Sequence, residues 1–475
     1  MLRVFILASF LMLLFGATAR AQEGDLTSSA GVFIEPKRAR VGTPRERAAP
    51  QRTTPRRTRP KPPPTASNPK PTGRTTPVVT AESLNARAEM AIDAGRFNEA
   101  VEPLRQAVKL KPDFADAQYN LGFALYSLGR QEEAVEPLRR SAALDPSDAD
   151  AQVYLGASLA KLGRHAEAAA AYEQAVRLAP KNGATLVALG GEHLAAGDRD
   201  RAIDAFKRAV AIDPDDSESQ FDLGEALYAK GRYAEAAEAF AHVTRVTQVN
   251  ADAFENLGDS YRALSRFKEA AEAYRDAARL KTGDAEVWQK LGYALGRDKR
   301  WPEATDALKK ALALKPGDAE SAINLAWVYN NSGQYRSSID TLKPVVAAHP
   351  DMTAALFNLG TAYGHLAQKG ANNDAERKTL FTQAVETLNQ VIRLKPDWPE
   401  AHNNLGVALG SLGRFKEAIA AHAEAVRLKP NYAGALYNLA YAYRKSGDKK
   451  KAQETYQKLK AINPSMADTL YQQIK

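Results

Sequence analysis

The chain contains no cysteine among its 475 residues. That excludes a disulfide framework, a thiolate zinc or iron–sulfur site, a cysteine nucleophile and a cysteine lipid anchor. Histidine is nearly as scarce: seven scattered residues leave little for a metalloenzyme, so no metal site and no cofactor is expected. Catalytic signatures are missing too, with no Walker loop, G-x-S-x-G elbow or H-E-x-x-H. The chain lacks a membrane-length apolar run as well. Its longest mostly apolar stretch, Val4 to Phe15, has twelve residues, where a spanning helix needs about 20.

That short run has another reading. Arg3 precedes it, Gly16 breaks it, and Ala19-Arg20-Ala21 before Gln22 is a small-x-small cleavage site. The three-part layout is that of a secretory signal peptide over residues 1–21. An exported protein, periplasmic, envelope-associated or secreted, is expected.

Charge is unevenly placed. The formal net charge is +9, yet residues 35–77 hold twelve Lys/Arg and only Glu35 and Glu46 as acids. The other 432 residues carry 53 basic and 54 acidic groups, so the body is neutral. Eleven prolines lie between Pro36 and Pro77, and residues 22–80 show no hydrophobic period. Proline removes a helix donor and like charges repel, so 22–80 reads as a disordered, extended basic linker. It is either a plain spacer or a tail with affinity for anionic envelope polymers or lipid headgroups. Nucleic acid is disfavoured by the export signal.

From residue 81 a motif recurs every 34 residues, closing at Pro112, Pro146, Pro180, Pro214, Pro316, Pro350, Pro396, Pro430 and Pro464. Gln248 and Thr282 replace two of these prolines, and the step to Pro396 contains a 12-residue insertion, residues 368–379. Eleven such repeats fill residues 81–466. Counting from each start, position 7 is Leu (Leu121, Leu155, Leu257) in all but the first repeat, where Arg87 stands. Position 8 is Gly or Ala throughout, position 20 is Ala except at Ser338, and position 24 is large, as in Leu138, Tyr172 and Phe206. Small residues let paired helices approach; large ones fill the groove beside them. After Pro464, Met466, Leu470 and Ile474 repeat at helical spacing with polar Gln472, Gln473 and Lys475, which reads as a capping helix over 467–475.

These markers resemble the tetratricopeptide repeat (TPR) family over about four fifths of the chain. The resemblance implies an all-α, right-handed superhelical solenoid of eleven helix-turn-helix units plus the C-terminal cap. It also implies a concave groove lined by positions 2, 5, 6, 9, 12 and 13 of each first helix. Position 6 is Asn in six repeats: Asn120, Asn256, Asn324, Asn358, Asn404 and Asn438. Such a ladder of amides can both donate to and accept from an extended peptide backbone, although Asn here also belongs to the repeat consensus. Tyr119, Phe221, Trp327, Phe357 and Tyr437 add aromatic surface beside the amides, facing a peptide or stacking on neighbouring helices. Position 5 carries no Lys or Arg and position 2 is acidic in eight repeats, which argues against the carboxylate clamp of chaperone-binding relatives. His402 and His422 occupy core-pattern positions and read as packed imidazoles. The expected function is a non-catalytic peptide- or protein-binding scaffold in the cell envelope. Polyanion or cell-wall binding through the tail, or an accessory role beside a separate enzyme, are the alternatives.

Overall fold

The computed structural model describes residues 32–36 and 79–474, with side chains up to Tyr471. The expected signal segment, and the basic stretch apart from Glu35 and Pro36, lie outside the described residues, as do the Gln472, Gln473, Ile474 and Lys475 side chains. Twenty-three helices and no strand occur among the described residues. They run as eleven consecutive pairs from Ala81 to Ile462, followed by Pro464–Ile474. None is long and apolar enough to cross a membrane. The chain is an all-α solenoid of helical hairpins.

The pairing follows from side-chain size. In most repeats the position-8 glycine lies directly beneath the position-24 side chain of its partner helix. A Cβ on Gly190 would sit 2.6 Å from the Phe206 ring, and one on Gly122 would sit 2.4 Å from Leu138 Cγ. Phe206, Phe240 and Tyr274 are consequently fully buried, as are the position-20 alanines Ala100, Ala134, Ala168 and Ala270. Between the helices, position 15 adopts a left-handed conformation, with φ of +76° at Gly129 and +72° at Gly163. Ser265 (φ 58°) and Lys299 (φ 62°) hold the same conformation without being glycine. The second helix then opens on an Arg whose guanidinium bonds the Glu three residues on: Arg164 Nε and Nη2 reach Glu167 at 2.8 and 2.7 Å. That carboxylate also lies at the positive end of its helix.

Two compact bodies divide the described residues. One holds residues 79–264; the other holds 265–474 together with 32–36. In the second body the insertion extends both helices of the ninth repeat, to Thr353–Lys369 and Asp374–Leu394. Leu366, Ala367, Leu380 and Phe381 bury the extra turns in one cluster, and Arg336 ties them to the preceding repeat through Glu376 at 2.6 Å. At the C-terminus, Met466, Ala467 and Leu470 of the last helix are buried against Leu436, Tyr456 and Leu459.

Candidate functional site

The site is built on first helices of three successive repeats in the second body: α1 (Ala285–Arg297), α2 (Ala319–Asn331) and α3 (Thr353–Lys369). Asn324 on α2 and Asn358 on α3 share position 6 and point the same way from equivalent turns. Between and across them lies the chain's own segment Val32–Pro36. This segment falls inside the stretch read as linker, yet its backbone is seated on the two amides. Asn324 Oδ1 accepts from Ile34 N at 2.6 Å, while Asn324 Nδ2 donates to Ile34 O at 2.8 Å. Asn358 repeats the arrangement two residues earlier: its Oδ1 accepts from Val32 N, and its Nδ2 donates to Val32 O at 2.6 Å. Each amide thus satisfies both polar groups of one residue, as a strand neighbour would. The polypeptide runs from the ninth repeat towards the eighth, antiparallel to the order of the array.

Phe33 lies between the two rungs. Its ring is stacked on Trp327 at 4.2 Å between centroids, with planes 4° apart, and on Tyr293 at 4.5 Å and 24°. Gly296 is the floor of this slot: a Cβ there would sit 2.8 Å from Phe33 Cζ. Both walls are braced. Arg297 donates to the Tyr293 hydroxyl at 2.7 Å and stacks over Phe267 at 4.2 Å. Trp301 packs edge-on against Trp327 at 5.7 Å. Val32 and Ile34 cover the apolar cluster that contains Phe357 and Leu359.

The other four ladder amides are placed differently. Asn120 donates to Asn85 Oδ1 at 2.9 Å, and Asn438 donates to Asn403 Oδ1 at 3.0 Å. Asn404 donates to Thr361 Oγ1 at 3.2 Å. Asn256, half-buried, lies in the other body. A further cleft lined by Thr361, Asn404, Val407, Tyr437 and Asn438 extends the groove past Asn358. Among the aromatics, packing takes Phe357, flat on Trp398 at 4.4 Å, and Phe221, edge-on to Phe240 at 5.5 Å. Tyr119 stacks with Phe123 at 6.1 Å. Only Trp327 of the predicted aromatics forms the slot.

Sequence reasoning missed Phe33, Tyr293's pairing with Trp327, and Gly296. A signal for the last two existed. Tyr293 and Trp327 are the one pair of aromatics at position 9 of consecutive repeats, and Gly296 stands at position 12 between them. The two histidines make no joint site. His402 Nε2 lies 2.8 Å from the Pro396 carbonyl, and buried His422 lies 3.2 Å from Asn403 Oδ1, its pKa pulled down to about 3 by loss of solvation. No metal-binding cluster occurs among the described residues.

Tetratricopeptide-repeat profiles match residues 255–319, 297–363, 381–413 and 409–475. The profile of the C-terminal domain of cilia and flagella-associated protein 70 matches 85–256. No curated protein matches the chain. Among solved structures, MamA is 27% identical, with 36% of this chain and 94% of that one covered and a TM-score of 0.34. MamA from Desulfovibrio magneticus RS-1 is 24% identical, covering 36% and 96%, with a TM-score of 0.33. YrrB, described as a TPR protein with an unusual peptide-binding site, is 26% identical, covering 39% and 95%, with a TM-score of 0.36.

Proposed function

Since this chain is a tetratricopeptide-repeat protein, we propose that it is a non-catalytic scaffold that holds an extended peptide segment of a protein partner in its concave groove. One observation carries the reading: Asn324 and Asn358 each both donate to and accept from the backbone of a single extended residue. Paired bonds of this kind read main chain rather than side chains, so any extended segment free of proline at the two bonded positions satisfies them.

Selection of displayed peptides on a full chain carrying Phe33→Ala, which frees the groove of its own segment, followed by titration against the same chain with Asn324→Ala/Asn358→Ala added, tests it. Each amide bond contributes about 0.5–1.5 kcal/mol net, so the double variant should bind recovered peptides at least tenfold more weakly and melt at nearly the same temperature. A variant that melts much earlier yet binds normally would show that the amides are structural.

The setting proposed is outside the cytoplasm, supported by the signal-like layout of residues 1–21. Protein from its native host should then begin at Gln22. Attraction of the basic stretch 35–77 to anionic envelope polymers is a second activity, supported by the placement of its charge. It should weaken steeply with salt, whereas groove binding should not.

A further inference from the structure

We propose that Val32–Pro36 is a resident competitor in the groove, and that the external ligand displacing it is an extended peptide whose aromatic residue enters the slot between Tyr293 and Trp327. The inference rests on the backbone-reading function above and names what that function selects. Because the two amides read only main chain, selectivity falls to the residue between them. That residue is Phe33, held face to face with Trp327 at 4.2 Å and with Tyr293 at 4.5 Å. The slot is built for a planar ring. Its walls are fixed by Arg297 and Trp301, and a side chain on Gly296 would occupy the ring's place. No other two consecutive repeats carry aromatics at position 9, so the array contains one such receptor. Aliphatic residues on either side of the ring, as in Val32 and Ile34, cover the neighbouring apolar cluster.

The occupant is tethered to the receptor it fills. Residues 37–78, 42 in number, separate the segment from the described start of the repeats. An occupant carried on the same chain as its receptor competes at an effective concentration that does not fall on dilution. A seated segment that leaves the groove free about 1–10% of the time weakens the apparent affinity for an outside peptide about 10- to 100-fold. Weak ligands are thereby excluded, and only a segment with a better ring or additional contacts along the groove displaces the resident one.

The probe is a fluorescein-labelled peptide of residues 30–38, titrated against the full chain and against full-chain Phe33→Ala. The substitution lies outside the repeats, so circular dichroism of the helical array should be unchanged, and loss of the bound segment should lower its melting temperature only modestly. The Phe33→Ala chain should bind the probe about 10- to 100-fold more tightly than the unaltered chain, and a probe with Ala in place of its Phe should bind the Phe33→Ala chain about 5- to 150-fold more weakly than the original probe does. Equal affinity of the probe for both chains would overturn the resident competitor and leave the groove function standing. A probe lacking the ring that binds as well as the original would overturn the aromatic slot. Absence of binding to either chain would overturn the groove function itself. Gel filtration across a hundredfold dilution series should show one unchanging species; a concentration-dependent dimer that Phe33→Ala abolishes would mean that the segment is exchanged between copies, and would overturn the intramolecular assignment.

Discussion

Gly296→Ala sets two effects of opposite sign against each other in one methyl group. Gly296 lies in the last turn of α1, where alanine favours the helix by up to about 1 kcal/mol. The added Cβ, however, would lie 2.8 and 3.0 Å from Phe33 Cζ and Cε1, and 3.3 Å from Val328 Cγ2. Carbon atoms prefer about 3.5–4.0 Å, so the ring must lift by more than half an ångström. It has no sideways escape, being clamped between Tyr293 and Trp327. Lifting it forfeits two aromatic stacks, each contributing about 0.5–1.5 kcal/mol, a combined loss of about 1–3 kcal/mol and a shift of about 5- to 150-fold in occupancy. The chain's lack of cysteine supplies the assay. Ile34→Cys introduces a single thiol on the seated segment, and its labelling rate reports how often the segment leaves the groove. Adding Gly296→Ala should accelerate labelling within that range while the helical circular dichroism is unchanged. Unchanged labelling would refute the steric argument, because the methyl group would then have been accommodated without expelling the ring.

Lys299→Gly should stabilise the second body by about 1 kcal/mol, read as a rise in urea midpoint, because Lys299 holds a left-handed φ of 62° that costs a side-chain-bearing residue. Gly190→Ala should destabilise by about 1–3 kcal/mol by overpacking, since its Cβ meets the fully buried Phe206 ring at 2.6 Å; a neutral result in thermal unfolding would contradict the close approach. Burial holds the His422 pKa down to about 3, so the unfolded chain takes up the proton first and stability falls as pH drops from about 6.5 towards 3. His422→Leu, with a side chain that already packs over glycine at Leu138, Leu308 and Leu388, should abolish about 2 kcal/mol of the stability lost between about pH 7 and pH 5. Leu257→Ala, which empties a buried position, should cost about 2–5 kcal/mol and raise hydrogen exchange around the sixth repeat before the chain ends.

The helical hairpin was legible in the sequence because its determinants recur at fixed spacing and act between near neighbours. A glycine at position 8 and a bulky residue at position 24 are sixteen residues apart, and the structure joins them as Gly190 with Phe206 and Gly224 with Phe240. The Asn ladder was equally visible as a pattern, but a pattern of identical residues does not separate their roles. Tertiary neighbours did that. Asn85 and Asn403 present amide oxygens to Asn120 and Asn438, whereas the same spacing places Ile323 before Asn358, which offers only a backbone carbonyl at 3.5 Å, and the Asn358 amide bonds the docked backbone at 2.6 Å. The segment that docks was hidden for a simpler reason. Val32-Phe33-Ile34 is too short to show any period and sits beside a proline-rich basic run. Its partners, Asn324 and Asn358, lie 290 and 326 residues further along. Periodicity reports contacts that each repeat makes with the next; a contact made once, across hundreds of residues, is decided only when the folded array brings Tyr293, Gly296 and Trp327 together to form a slot that a single phenyl ring fills.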